Sequence, residues 1–96
     1  TGSFIAFGNL GDLYAYYIHD NAKAEVNYKL ALAKGQDQIY IWRAVYDFYR
    51  NVLKNDVLAK KTLEDGIAKN PTTSKDLKYL FIFHLMLLFI ATLMMK

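Results

Sequence analysis

Apolar residues along the chain recur at helical spacing and stop at evenly placed breaks. Phe4, Phe7, Leu10, Leu13 or Tyr14, and Tyr17 fall three and four residues apart, the spacing that turns one face of a helix inward. His19, Asp20 and Asn21 interrupt that stripe. A second stripe of Ala24, Tyr28, Ala31 and Leu32 follows and ends at Gly35. The pattern then starts again. Ile39, Trp42, Val45, Tyr46, Tyr49 and Val52 predict a third helix, Lys54-Asn55-Asp56 a break, and Leu58 or Ala59, Leu63, Gly66 and Ile67 a fourth helix. No alternating run of β-branched residues competes with this reading, so the spacing predicts an all-α chain.

Shifting the chain on itself by 35 residues brings Phe7 onto Trp42, Leu10 onto Val45, Tyr14 onto Tyr49, Ala24 onto Ala59 and Tyr28 onto Leu63. The same shift puts Gly35 on Asn70, the two residue types that most readily take the left-handed conformation closing a helix, and Pro71 bars continuation beyond the second. Asp37 and Asp56 stand where N-caps are expected. Matched breakers at the same shift as the aromatics imply two helical hairpins, about 4–36 and 37–71, within a region 1–71. Core periodicity alone would not align the breaks.

These residues resemble the tetratricopeptide repeat family, whose signature runs aromatic, Leu-Gly, Tyr, Ala, aromatic, Pro. Phe7-x2-Leu10-Gly11-x2-Tyr14 matches the first half and Ala24-x3-Tyr28 the next part, with Gly35-Gln36 where Pro would stand. The second unit keeps Trp42, Tyr49, Ala59 and Pro71 but has Val45-Tyr46 for Leu-Gly and Leu63 for the aromatic. The resemblance covers about residues 4–71. It implies tandem antiparallel hairpins wound as a right-handed superhelix, with the inner face of each first helix forming a groove for a protein or peptide partner. That face would comprise Asn9, Asp12 and Tyr16, then Tyr40, Arg43, Asp47 and Arg50, bordered by Lys75. Family members that hold chaperone carboxylate tails use a Lys/Asn clamp there. Gly8, Asp12 and Ala44 occupy the corresponding positions, so that ligand is not expected. Asp47 also lies four and three residues from Arg43 and Arg50, which offers a plain pairing along one helix.

Region 72–96 departs from the repeat. Thr73-x2-Asp76 has capping-box spacing, so a helix is expected to begin near Ser74, with Leu77, Leu80 and Phe81 stacking on the preceding hairpin. From Tyr79 to Met95 the only non-apolar side chains are His84 and Thr92, which makes the helix apolar on every face. Leu80, Phe81, Phe83, Leu87, Leu88, Phe89 and Ile90 are its candidate membrane or partner contacts. Seventeen residues at about 1.5 Å each reach roughly 25 Å, near the lower limit for a bilayer core. A lipid bilayer, a partner chain in a larger assembly, or further repeats could each cover such a helix. Lysines accumulate before it and only Lys96 follows, which places the hairpins on the cytoplasmic side of a membrane if it spans one. A soluble cytoplasmic chain is the alternative.

Composition narrows the chemistry. With 54% hydrophobic and 22% charged residues in 96, one small folded domain is expected rather than a disordered segment. The absence of Cys excludes disulfides, thiolate nucleophiles and Cys-based zinc sites. The net charge of +3 is spread among mixed signs, with three lysines against four carboxylates in residues 1–41 and eight cations against five carboxylates in 42–78. No single basic surface is implied, and nucleic acid is not an expected partner. His19 and His84 lie on separate segments, with no paired-histidine metal spacing. Ser3 and Ser74, the only serines, sit at flexible or capping positions, and Glu64-Asp65 point to different faces. No catalytic residues, metal or cofactor are expected. The sequence points to a protein-interaction module such as an adaptor, assembly factor or receptor, or else to a small structural subunit of a larger complex.

Overall fold

The structure, a computed structural model, describes residues 3–95; Thr1, Gly2 and Lys96, the cation expected behind the apolar segment, lie outside it. It is helical, with no strand among the described residues: α1 (Ser3–Asp12), α2 (Asn21–Lys34), α3 (Ile39–Asp47), α4 (Asp56–Lys69) and α5 (Lys75–Met94). Two π-helical segments, Leu13–Ile18 and Phe48–Val52, continue α1 and α3. Such segments close hydrogen bonds on the fifth residue instead of the fourth.

The 35-residue register governs the backbone as well as the side chains. Among the described residues, His19 (φ 63°) and Lys54 (φ 56°) are the two non-glycine residues with left-handed backbone, one at each hairpin turn. The next residues, Asp20 and Asn55, cap α2 and α4: their side-chain oxygens accept from the amides of Lys23 (3.1 Å) and Leu58 (3.0 Å). Their own amides reach back to the carbonyls of Tyr14 and Tyr49, each at 2.8 Å.

Five expectations about helix ends need correction. Asp37 and Asp56 are not the caps. Gln38 precedes α3 without a side-chain cap, and Asn55 takes the role expected of Asp56, which sits in the first turn of α4. Gly35 (φ −129°) and Asn70 (φ −136°) are not left-handed. Gly35 is required for space, since a Cβ there would lie 2.9 Å from the Phe4 side chain. Asn70 instead donates its side-chain amide to the carbonyls of Gln36 (2.8 Å) and Gly66 (3.1 Å). The Thr73 capping box does not form: Ser74 precedes α5 without capping it, and its buried hydroxyl has no hydrogen-bond partner.

Close helix contact explains the first hairpin. A Cβ on Gly11 would come within 2.6 Å of the Tyr28 ring, so the ring of α2 lies directly against the backbone of α1. In the second hairpin the volumes are exchanged, with Tyr46 and Leu63 at the corresponding positions, both buried. Tyr28 then stacks on Phe48 at 5.0 Å between ring centres, tying the first hairpin to the second. At the opposite end from the hairpin turns, the Gln36 carbonyl accepts from both Trp42 Nε1 and Asn70 Nδ2, each at 2.8 Å. That joins the link between hairpins to the link before α5.

The Gly11 contact is testable by thermal denaturation. Gly11→Ala gains about 1 kcal/mol of helix propensity but forces the buried Tyr28 ring to move, an overpacking cost of about 1–3 kcal/mol. The expected net result is a Tm lower by about 5–10 °C. Gly8→Ala meets only the flexible tip of Ile41 at 3.2 Å and is expected to leave Tm unchanged or raise it.

Candidate functional site

The first helices of the two hairpins share a face that carries an open groove of about 440 Å³, lined by Asp12, Tyr16, Tyr17, Ala44 and Asp47. A smaller hollow of about 60 Å³ continues it past Ile5, Gly8, Asn9, Tyr40 and Ile41, sharing Asp12 and Ala44. Of the residues expected on this face, Asn9, Asp12, Tyr16, Tyr40 and Asp47 line these hollows. Arg43, Arg50 and Lys75 do not. Arg43 is exposed, Arg50 is half-buried, and Lys75 opens α5 with its ammonium over the Tyr79 ring at 5.9 Å. Tyr17 was not among the expected groove residues, and Ala44 was placed on this face only as a clamp position. Periodicity placed Tyr17 on the inward stripe of the first helix; it lies instead in the π-helical segment, is exposed and lines the groove.

Asp12 is positioned from below. The buried Tyr28 hydroxyl donates to its Oδ1, a bond made possible by the close passage of the ring under Gly11. Burial, then the Asp12 carboxylate, hold the Tyr28 phenol well above its ordinary range, so it remains a donor. Tyr16 feels the same surroundings: burial first, then the charges of Asp47 and Asp12, push its phenol up. Burial also raises the Asp47 carboxyl above its usual value, and nearby Arg43 and Arg50 offset this only in part. The plain pairing along α3 is absent, for neither Asp12 nor Asp47 has a cation within 4.0 Å among the described residues.

A second groove, of about 290 Å³, separates α2 from α4. There the carboxylates are occupied. Glu25 accepts from Tyr49 Oη at 2.8 Å and faces Lys29 at 3.8 Å, while Asp65 pairs with Lys61 at 3.3 Å. The contrast makes the first groove the candidate binding surface, an acidic and aromatic floor with unpaired charge. No group of His, Asp and Glu suited to a metal ion occurs among the described residues.

The other candidate surface is α5, 20 residues long with a mean hydropathy of 2.0 over an 18-residue window that is only 11% buried. It is long and apolar enough to cross a membrane. Leu77 and His84 alone are fully buried along it, and Leu80 and Phe81 pack partly against the hairpin core. Leu87 and Leu88 are half-buried, whereas Phe83, Phe89 and Ile90 are exposed. His84 bonds through Nδ1 to Tyr46 Oη at 3.1 Å, while its buried Nε2 has no hydrogen-bond partner. Thr92 is satisfied within the helix, donating its hydroxyl to the Leu88 carbonyl at 2.9 Å.

No protein-family model, curated protein or solved structure matches this chain.

The raised Asp47 carboxyl gives a signed prediction. The folded chain holds this proton more tightly than the unfolded chain, so stability declines as pH rises through the carboxylate range, and ionised Asp47 is a net cost at neutral pH. Asp47→Asn is therefore expected to raise Tm at pH 7, with the gain shrinking as pH falls toward 4. Calorimetry across that range would measure it.

Proposed function

We propose that the chain is a protein-interaction module of the tetratricopeptide type, tethered to a membrane by α5 with its hairpins on the cytoplasmic side. The observation that supports this most directly is the groove on the shared face of α1 and α3. It sets two carboxylates without cationic partners among three tyrosines. Tyrosine and carboxylate pairs of this kind favour a peptide or partner segment bearing Lys or Arg, held by ion pairing and by cation–π contact. The repeated backbone at a 35-residue shift supports the hairpin-repeat reading. The all-round apolar character of α5 supports the tether, since a soluble repeat helix keeps a polar face.

Two measurements test the two halves. Selection of random peptides against the full chain in detergent is expected to enrich Lys- and Arg-bearing sequences. Asp12→Asn is expected to weaken a selected peptide by tenfold or more, and Glu64→Gln on exposed α4 to leave it unchanged. Lack of cationic enrichment, or indifference to Asp12→Asn and Asp47→Asn, contradicts the groove reading. For the tether, the full chain is expected to float with liposomes and resist alkaline carbonate, and the double variant Phe89→Lys, Ile90→Lys to stay unbound, since each lysine costs about 2.5–3.5 kcal/mol in a bilayer centre. A wild-type chain that does not float places α5 against protein, which is the small structural subunit of a larger complex.

A further inference from the structure

Resting on the membrane tether above, the arrangement of α5 on the hairpins defines how the body meets the bilayer. The helix runs antiparallel to α4, from Leu77 beside Gly66 to His84, whose charged neighbours are Asp56, at the start of α4, together with Arg50 and Lys60. His84 therefore marks the level at which α5 passes the end of α4, and from Leu85 onward no described side chain is fully buried. The hairpin turns lie at this same end, because the links after α2 and after α4 meet at the other one through Gln36.

No polar spacer separates the free part of α5 from the body. Leu85 and Met86 follow His84 directly, and both are exposed. Burying them in hydrocarbon brings the hairpin turns into the headgroup layer, which is only about 5–8 Å thick on each side. The side chains at that end suit the position. Among the described residues before α5 the two most exposed large apolar residues are Val57 (78%) and Tyr17 (77%), each within three residues of a hairpin turn, and Ile18 is also exposed. Around the exit of α5 stand Arg50, Lys54 and Lys60. The carboxylates nearby are Asp20 and Asp56, at helix N-termini where the helix dipole offsets their charge, and Asp47, offset in part by Arg43 and Arg50.

We propose that the hairpin-turn end of the body docks on an anionic lipid bilayer, with Arg50, Lys54 and Lys60 at the headgroups around α5 and Tyr17, Ile18 and Val57 in the interfacial layer. The part of α5 beyond His84, residues 85–94, is roughly 15 Å long and enters one leaflet as the apolar anchorage, while the basic collar selects negatively charged lipid and fixes the orientation of the body. The groove between α1 and α3 then opens beside the membrane surface, since Tyr17 belongs to both.

The test is flotation of the full chain on vesicles of phosphatidylcholine alone and of phosphatidylcholine with about a third phosphatidylserine. The wild type is expected to bind both and to prefer the anionic vesicles by at least tenfold in low salt, because each surface cation contributes about fivefold. Lys54→Gln with Lys60→Gln is expected to remove most of that preference while binding to neutral vesicles persists. Lys34→Gln with Lys69→Gln, at the opposite and equally basic end, is expected to leave the preference intact. Equal binding of the wild type to both vesicles overturns end-on docking and leaves the tether standing. So does loss of preference to the same extent in both double variants, which would show net charge to be acting instead of position. Failure to float on either vesicle overturns the tether and the docking together.

Discussion

The passage of the Tyr28 ring against the backbone at Gly11 is the contact on which the rest of the structure depends. It draws α2 onto α1 more closely than any side chain at residue 11 would allow. The same ring stacks on Phe48, so one side chain closes the first hairpin and docks the second. Its hydroxyl ends at Asp12, on the groove floor. Packing and site are thus joined by one residue, whose apolar ring supplies burial and whose polar end finds a partner, as buried tyrosines require.

The two grooves show how the same fold treats charge in opposite ways. Between α2 and α4, carboxylates are matched by Lys29, Lys61 and the Tyr49 hydroxyl. Between α1 and α3, burial raises the Asp47 carboxyl while its arginines stay beyond pairing distance. A partly buried charge without a close cationic partner costs stability. The prediction for Asp47→Asn follows from that cost.

α5 has two parts with different physical surroundings. Up to His84 it behaves as a fifth helix of the body, filling the space beside α4 with Leu77 against Gly66 and Trp42. Beyond His84 it is apolar, with Leu87 and Leu88 still half-buried, the other side chains exposed and its one hydroxyl bonded internally. The volume exchange in the second hairpin connects the two. Tyr46 replaces the small residue found in the first hairpin, and its hydroxyl reaches across to hold His84.

Much of this was readable from the amino acids alone. Helical periodicity, the 35-residue shift and the break positions predicted five helices and the aromatic core, because these depend on local spacing and on residues that end helices. The shared face of Asn9, Asp12, Tyr16, Tyr40 and Asp47 was expected only through the resemblance to tetratricopeptide repeats. The helix caps were displaced by one residue, and the left-handed positions fell on His19 and Lys54, neither of which composition singles out. Those conformations are set by how each chain reversal must aim the next helix, a demand that arises only once the hairpin has packed. For the same reason the sequence showed Asp47 beside two arginines, yet only the tertiary structure decided that they do not pair. Spacing along a helix determines which side chains can meet, and the competition among burial, solvent and neighbouring helices determines which of them do.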